Sequence, residues 1–138
     1  MRLLLDTNVV VSGLLWAGPP WQLLNAARAG RIELVSSEPL FDELTAILTR
    51  RKLQRRLNAS GWSVGELIAQ YRMWVTLVTP ISMAPLAPDP DDDVVIATAV
   101  AGHVDYLVTG DAPLLSIKPF SPVPMLTARE ASNVLFQN

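Results

Sequence analysis

The sequence predicts an α/β sandwich with a mostly parallel sheet, and three observations carry that expectation. Short apolar runs at residues 2–5, 32–35 and 106–108 read as strands, and Leu3-Leu4-Leu5 is apolar on both faces. Continuous apolar strands are typical of parallel sheets covered by helices on both sides. Helical segments separate these runs, and such alternation along a chain builds an α/β core. Helix signals fall at the joints: Gly30 and Gly102 as stops, Ser63-x-x-Glu66 and Thr127-x-x-Glu130 as capping boxes.

The first strand ends at Asp6 and leads into a helix over about residues 9–16. That helix breaks at Gly18-Pro19-Pro20, and a second runs over about 21–29 to the stop at Gly30. After the strand at 32–35, Ser36 and Ser37 offer N-caps and Pro39 suits a first turn. The helix from there to about Arg50 is amphipathic, with Leu40, Leu44, Ile47 and Leu48 on one stripe. A further helix covers the basic segment, and the Ser63 capping box opens one that carries Tyr71 and Trp74. Residues 75–78 read as a short strand, and 80–90 as a proline-rich loop. Asp91-Asp92-Asp93 precedes an apolar helix over 94–101, stopped by Gly102. The strand at 106–108 ends in Thr109-Gly110-Asp111. Residues 123–126 form an edge strand, because Pro124 has no N–H for a central ladder.

Composition narrows the function. A chain of 138 residues fits one domain spanning 1–138. Charged residues are 17% of the chain, against about 25% on average, a shortfall that fits apolar surface covered by a partner, a second copy or another protein. There is no cysteine and one histidine, His103, so thiolate sites and histidine-rich zinc sites are excluded. No secretory signal or membrane span is expected, which makes the cytoplasm the default location. The net charge of −2 argues against binding nucleic acid through a bulk positive field. The basic residues are nevertheless uneven, with Arg50, Arg51, Lys52, Arg55 and Arg56 in one stretch. That stretch is either a solvated face or a contact for an RNA backbone.

Four acids point toward one edge. Parallel sheets bind ligands outside the carboxyl ends of their strands, where Asp6 and Asp111 stand, and Asp93 lies near the start of a helix that enters the sandwich from one end. Glu43 lies about 40° from Ile47 on the helical wheel, and a glutamate bordering an apolar face is costly unless its charge is satisfied. Each acid also has a plainer reading. Asp6 could cap a helix, the Asp91–Asp93 run could solvate a loop, Asp111 could be a turn residue, and Glu43 could reach water. Taken together the plainer readings require four coincidences at one edge. Clustered carboxylates are ligands for Mg²⁺ or Mn²⁺, and such an ion activates water without a histidine base.

The residues Leu5-Asp6-Thr7-Asn8-Val9, Ser37-x-x-x-x-Asp42-Glu43-Leu44, Asp91-Asp92-Asp93-x-x-Ile96-Ala97-Thr98-Ala99 and Leu107-Val108-Thr109-Gly110-Asp111 resemble, in order and spacing, the PIN-domain nucleases. Among these the chain looks most like the VapC-like toxin components of toxin–antitoxin systems. The resemblance implies a three-layer sandwich on a five-stranded sheet and a ribonuclease that uses Mg²⁺ or Mn²⁺. It also implies an antitoxin protein as partner and a homodimer. It implies that Asp6, Glu43, Asp93 and Asp111 are the metal site, with Asp93 preferred to Asp92 because it stands three residues before Ile96. Thr7 or Asn8 would orient Asp6, and Thr109 would support the site by hydrogen bonding.

Rival readings are weaker. A haloacid-dehalogenase-like phosphatase needs a second acid where Asn8 stands, and a phosphorelay receiver needs a lysine better placed than Lys118. A non-catalytic binding protein of the same fold would be marked by a lost acid, and all four are present. His103 reads as structural, and Trp62, Tyr71 and Trp74 as core or interface.

Overall fold

β1 (Arg2–Leu5) is the middle strand of a five-stranded sheet in the computed structural model, which describes residues 1–137. On one side it pairs with β2 (Glu33–Ser36), Leu3 opposite Leu34, and β2 pairs in turn with β3 (Val75–Leu77). On the other side lie β4 (Tyr106–Val108), with Val108 opposite Leu5, and β5 (Met125–Leu126). The order is β3-β2-β1-β4-β5 and every pairing is parallel. β5 is an edge strand, as Pro124 predicted, and the Pro124 carbonyl still accepts the Leu107 N–H at 2.9 Å.

Three helix starts, those of α1, α2 and α6, differ from the expectation. α1 (Thr7–Leu15) starts immediately after Asp6, whose Oδ1 accepts the Thr7 N–H at 2.8 Å and so caps the helix. α2 (Pro19–Arg28) begins at the two prolines that read as a break. A first helical turn has no partner for its N–H groups, so proline is tolerated there without loss. α3 (Glu38–Leu48), α4 (Gln54–Ser60) and α5 (Val64–Met73) follow, with a single 3-10 turn at Arg51–Leu53 before α4. α6 (Pro90–Ala101) takes all three aspartates into its first turn, and α7 (Ala112–Leu115) and α8 (Ala128–Phe136) complete the chain. Both expected capping boxes are formed.

Side chains on a strand alternate between faces, and the core divides accordingly. Leu3, Leu5, Leu34 and Val108 pack with apolar residues of α1, α2, α3 and α5. Leu4, Val35, Leu107 and Met125 pack with Val95, Ile96 and Ala99 of α6 and Leu114 of α7. The result is three layers. Gly102 ends α6 for a spatial reason: a Cβ there would collide with the Val35 side chain. Its φ is −83°, and the left-handed residue at this helix end is His103, at φ 50°.

Candidate active site

β1 and β4 are adjacent, so the residues that follow them, Asp6 and Asp111, emerge at the same carboxyl edge. The Asp6 N–H continues the ladder to the Val108 carbonyl at 2.8 Å. Asp6 is buried, with 6% of its surface exposed, and its two oxygens have different partners. Oδ1 takes the Thr7 N–H, and Oδ2 takes the Thr109 hydroxyl at 2.8 Å. The Thr109 oxygen accepts in turn from the Asp111 N–H at 3.0 Å. Thr109 thus links the two aspartates. Burial pushes the Asp6 carboxyl above its ordinary range, and the Asp111 charge adds to this, while the bonds from Thr109 and Thr7 hold it down.

Glu43, in the second turn of α3, is half-buried and close enough to Asp6 to feel its charge. Burial raises its pKa first, and Asp6, Asp91 and Asp92 raise it further, while the nearby Thr7 side chain lowers it. Asp111 caps α7, its Oδ2 accepting the Leu114 N–H at 3.0 Å. Asp6 therefore stands within range of both Asp111 and Glu43.

The triple aspartate is arranged otherwise than expected. Asp93 Oδ1 accepts the Leu86 and Ala87 N–H groups at 3.0 and 2.8 Å, so it clamps the proline-rich loop onto the start of α6. Asp92 is the one turned toward the cluster. Burial and the charges of Asp111, Asp89, Asp6 and Asp91 push its pKa to about 6. Successive residues of a helix are about 100° apart, so a one-residue change of register moves the carboxylate from the cluster to the loop. Asp91 lines a separate groove with Glu43.

Asn8 is exposed and makes no side-chain hydrogen bond among the described residues, so the Thr7 N–H and Thr109 orient Asp6 without it. The basic stretch occupies the 3-10 turn and α4 that follow α3. Arg56 is committed there: its Nε donates to the Leu15 carbonyl at the end of α1, and its guanidinium stacks 5.5 Å from the Trp16 ring. Arg50, Arg51, Lys52 and Arg55 remain exposed. Tyr71 is in the core and Trp74 packs against it, whereas Trp62 is 44% exposed.

One link was missed at the sequence level. The Ser37 and Thr98 hydroxyls meet at 2.9 Å with both residues fully buried, tying the start of α3 to α6 and hence the Glu43 helix to the Asp92 helix. The signal was visible in the polar residues set at core positions, Ser37 beside a strand end and Thr98 inside an apolar helix.

The donor set suits a hard divalent cation: carboxylates only, with no cysteine and the single histidine outside the cluster. Three carboxyls with proton affinity raised partly by one another's charge are also what a cation would relieve. As placed, no three acidic or histidine side chains among the described residues stand close enough to hold one ion directly. Mg²⁺ retains several of its waters and takes few direct carboxylate ligands, so the residues fit the ion in chemistry, with water completing the shell.

A three-layer parallel sandwich with acids gathered at its carboxyl edge is the class of domain defined by these observations. The PIN domain family matches residues 2–112, and the chain belongs to that family. The structure is also similar to the crystal structure of VapBC2 from Rickettsia felis bound to a DNA fragment from their promoter, with a TM-score of 0.60 and 14% identity over 92% of this chain and 98% of that one. At that identity the likeness concerns the fold. No curated protein matches the chain. No described helix is long and apolar enough to cross a membrane.

Proposed function

We propose that this protein is a metal-dependent ribonuclease that hydrolyses phosphodiester bonds of RNA with Mg²⁺ or Mn²⁺. Asp6, Glu43, Asp92 and Asp111 would hold the ion, with Asp92 in the role first expected of Asp93. What supports this reading is the buried Asp6 at the end of β1, tied through Thr109 to Asp111 and within range of the charges of Glu43 and Asp92. When bound, the ion supplies an activated water and neutralises phosphate charge. The chain's own residues do the placing: Thr109 and the Thr7 N–H hold Asp6, the α7 cap holds Asp111, and Asp93 fixes the loop beside Asp92.

The toxin role belongs to the same proposal. An antitoxin protein and a second copy of the chain are the partners, supported by the exposed apolar surface of Trp21, Trp62 and Met73, which are 49%, 44% and 82% exposed. Purified protein should cleave RNA with Mg²⁺ or Mn²⁺ and stop in excess chelator. Asp6→Asn should abolish cleavage while its unfolding curve stays cooperative. Cleavage that persists in chelator rejects the reading.

A further inference from the structure

A groove of about 510 Å³ opens on the side of Asp111 away from Asp92. Asn8 and Ser12 line it from one face of α1, four residues apart, and Val9, Pro20, Pro113 and Ala128 form apolar walls. Neither Asn8 nor Ser12 makes a side-chain hydrogen bond among the described residues, so both are available to a ligand. No lysine or arginine lines the groove. The side chains at the helix starts around it each hold one N–H: Asp6 that of Thr7, Asp111 that of Leu114 and Thr127 that of Glu130. An anion would meet the Asp111 carboxylate at the rim and no lysine or arginine to balance it. The groove therefore suits a neutral, flat group with an apolar face and a polar edge.

We infer that this groove binds an unpaired nucleobase of the substrate strand, beside the phosphate that the carboxylate cluster acts on, with the Asn8 amide and Ser12 hydroxyl reading the base edge. The inference rests on the nuclease reading for its substrate class. Groove and cluster share Asp111, so a strand cleaved at the cluster carries its neighbouring base to the groove mouth. Asn offers a donor and an acceptor side by side, the pattern that pairs with a base edge presenting one of each. Size agrees, because ligand pockets generally run from about 300 to about 1,000 Å³.

The test uses short ribooligonucleotides and ¹⁵N-labelled protein with no added divalent metal, so that no metal-activated water hydrolyses the strand during the titration. Four homopolymers and a sugar–phosphate strand lacking bases are titrated in turn. The expected result is movement of the Asn8 side-chain and Gly110 backbone signals, weaker binding of the base-free strand, and unequal affinity for the four bases. Asn8→Ala and Ser12→Ala should each narrow the preference by about fivefold, the equivalent of one neutral hydrogen bond. Both are changes at solvent-accessible positions of α1, and a melting curve for each variant verifies that it folds. Equal binding of the base-free strand, or binding without movement at Asn8 and Gly110, overturns the inference, as does failure of every strand to bind. The nuclease reading is scored separately by metal-dependent cleavage. Base-dependent binding without cleavage would keep the groove and discard the nuclease. Cleavage without base dependence would do the reverse.

Discussion

The Thr109 hydroxyl donates to Asp6 Oδ2 over 2.8 Å, although the two residues stand 103 positions apart. Pairing of β1 with β4 makes them neighbours, and the same oxygen accepts the Asp111 N–H. Thr109→Val keeps the shape and removes both bonds. Unfolding measurements should show a loss of about 1–3 kcal/mol, the usual cost of stranding a buried polar partner. Mn²⁺ titration should show weaker binding, whereas Thr109→Ser should behave like the parent. If the valine and serine variants match, the hydroxyl has no positioning role.

Asp92 and Asp93 should part company on substitution. Asp93→Ala strands the Leu86 and Ala87 N–H groups, so stability should fall by about 1–3 kcal/mol and hydrogen exchange at those two amides should accelerate. Asp92→Asn removes a repelled charge, so the metal-free protein should melt no lower than the parent. It should, however, lose most of the stabilisation that added Mn²⁺ provides. The opposite pattern would return the ligand role to Asp93.

The acids also set a pH dependence. Asp92 has its pKa raised from 3.8 to about 6 in the fold, so the folded chain binds this proton more tightly than the unfolded chain. Its stabilising contribution is complete below the unfolded value and is lost as pH rises through about 6. Asp6 and Glu43 shift the same way. Glu66 and Glu130 shift down, but their caps are exposed and oppose the trend only weakly. The melting temperature of the metal-free protein should therefore fall between about pH 5 and about pH 7. Saturating Mg²⁺ should remove most of that slope, and Asp92→Asn should flatten it. A flat profile in the metal-free parent would contradict the coupling.

At the end of α6 two adjacent residues have divided one task. Gly102→Ala should destabilise by about 1–3 kcal/mol, the typical cost of overpacking a filled core, because its Cβ meets Val35. His103→Gly should be neutral or stabilising, since a left-handed residue with a side chain carries a strain of about 1–2 kcal/mol. Denaturant unfolding of both variants measures this. Equal destabilisation by the two would rule out the division of roles.

Much of the architecture was legible because its signals are local. Leu3-Leu4-Leu5, Leu107 and Val108 are apolar on both faces, Pro124 marks an edge, and the Ser63 and Thr127 boxes name their own helix starts. Asp6 and Asp111 could be placed at the working edge from their position after two strands. The boundaries at Thr7 and Pro19 were misread because each depends on which N–H groups lack partners, which is a matter of where the chain enters the helix.

By itself, then, the sequence determined the strand–helix alternation and a set of candidate ligands made of carboxylates, with no cysteine and one histidine, since these follow from residue type and short-range spacing. Tertiary structure alone decided which aspartate of 91–93 faces the cluster, because a turn of about 100° per residue makes that choice depend on how α6 docks. It also decided that Thr109 bridges Asp6 to Asp111 and that Ser37 meets Thr98. Each of those joins residues distant in the chain, and only the order of strands in the sheet brings them together.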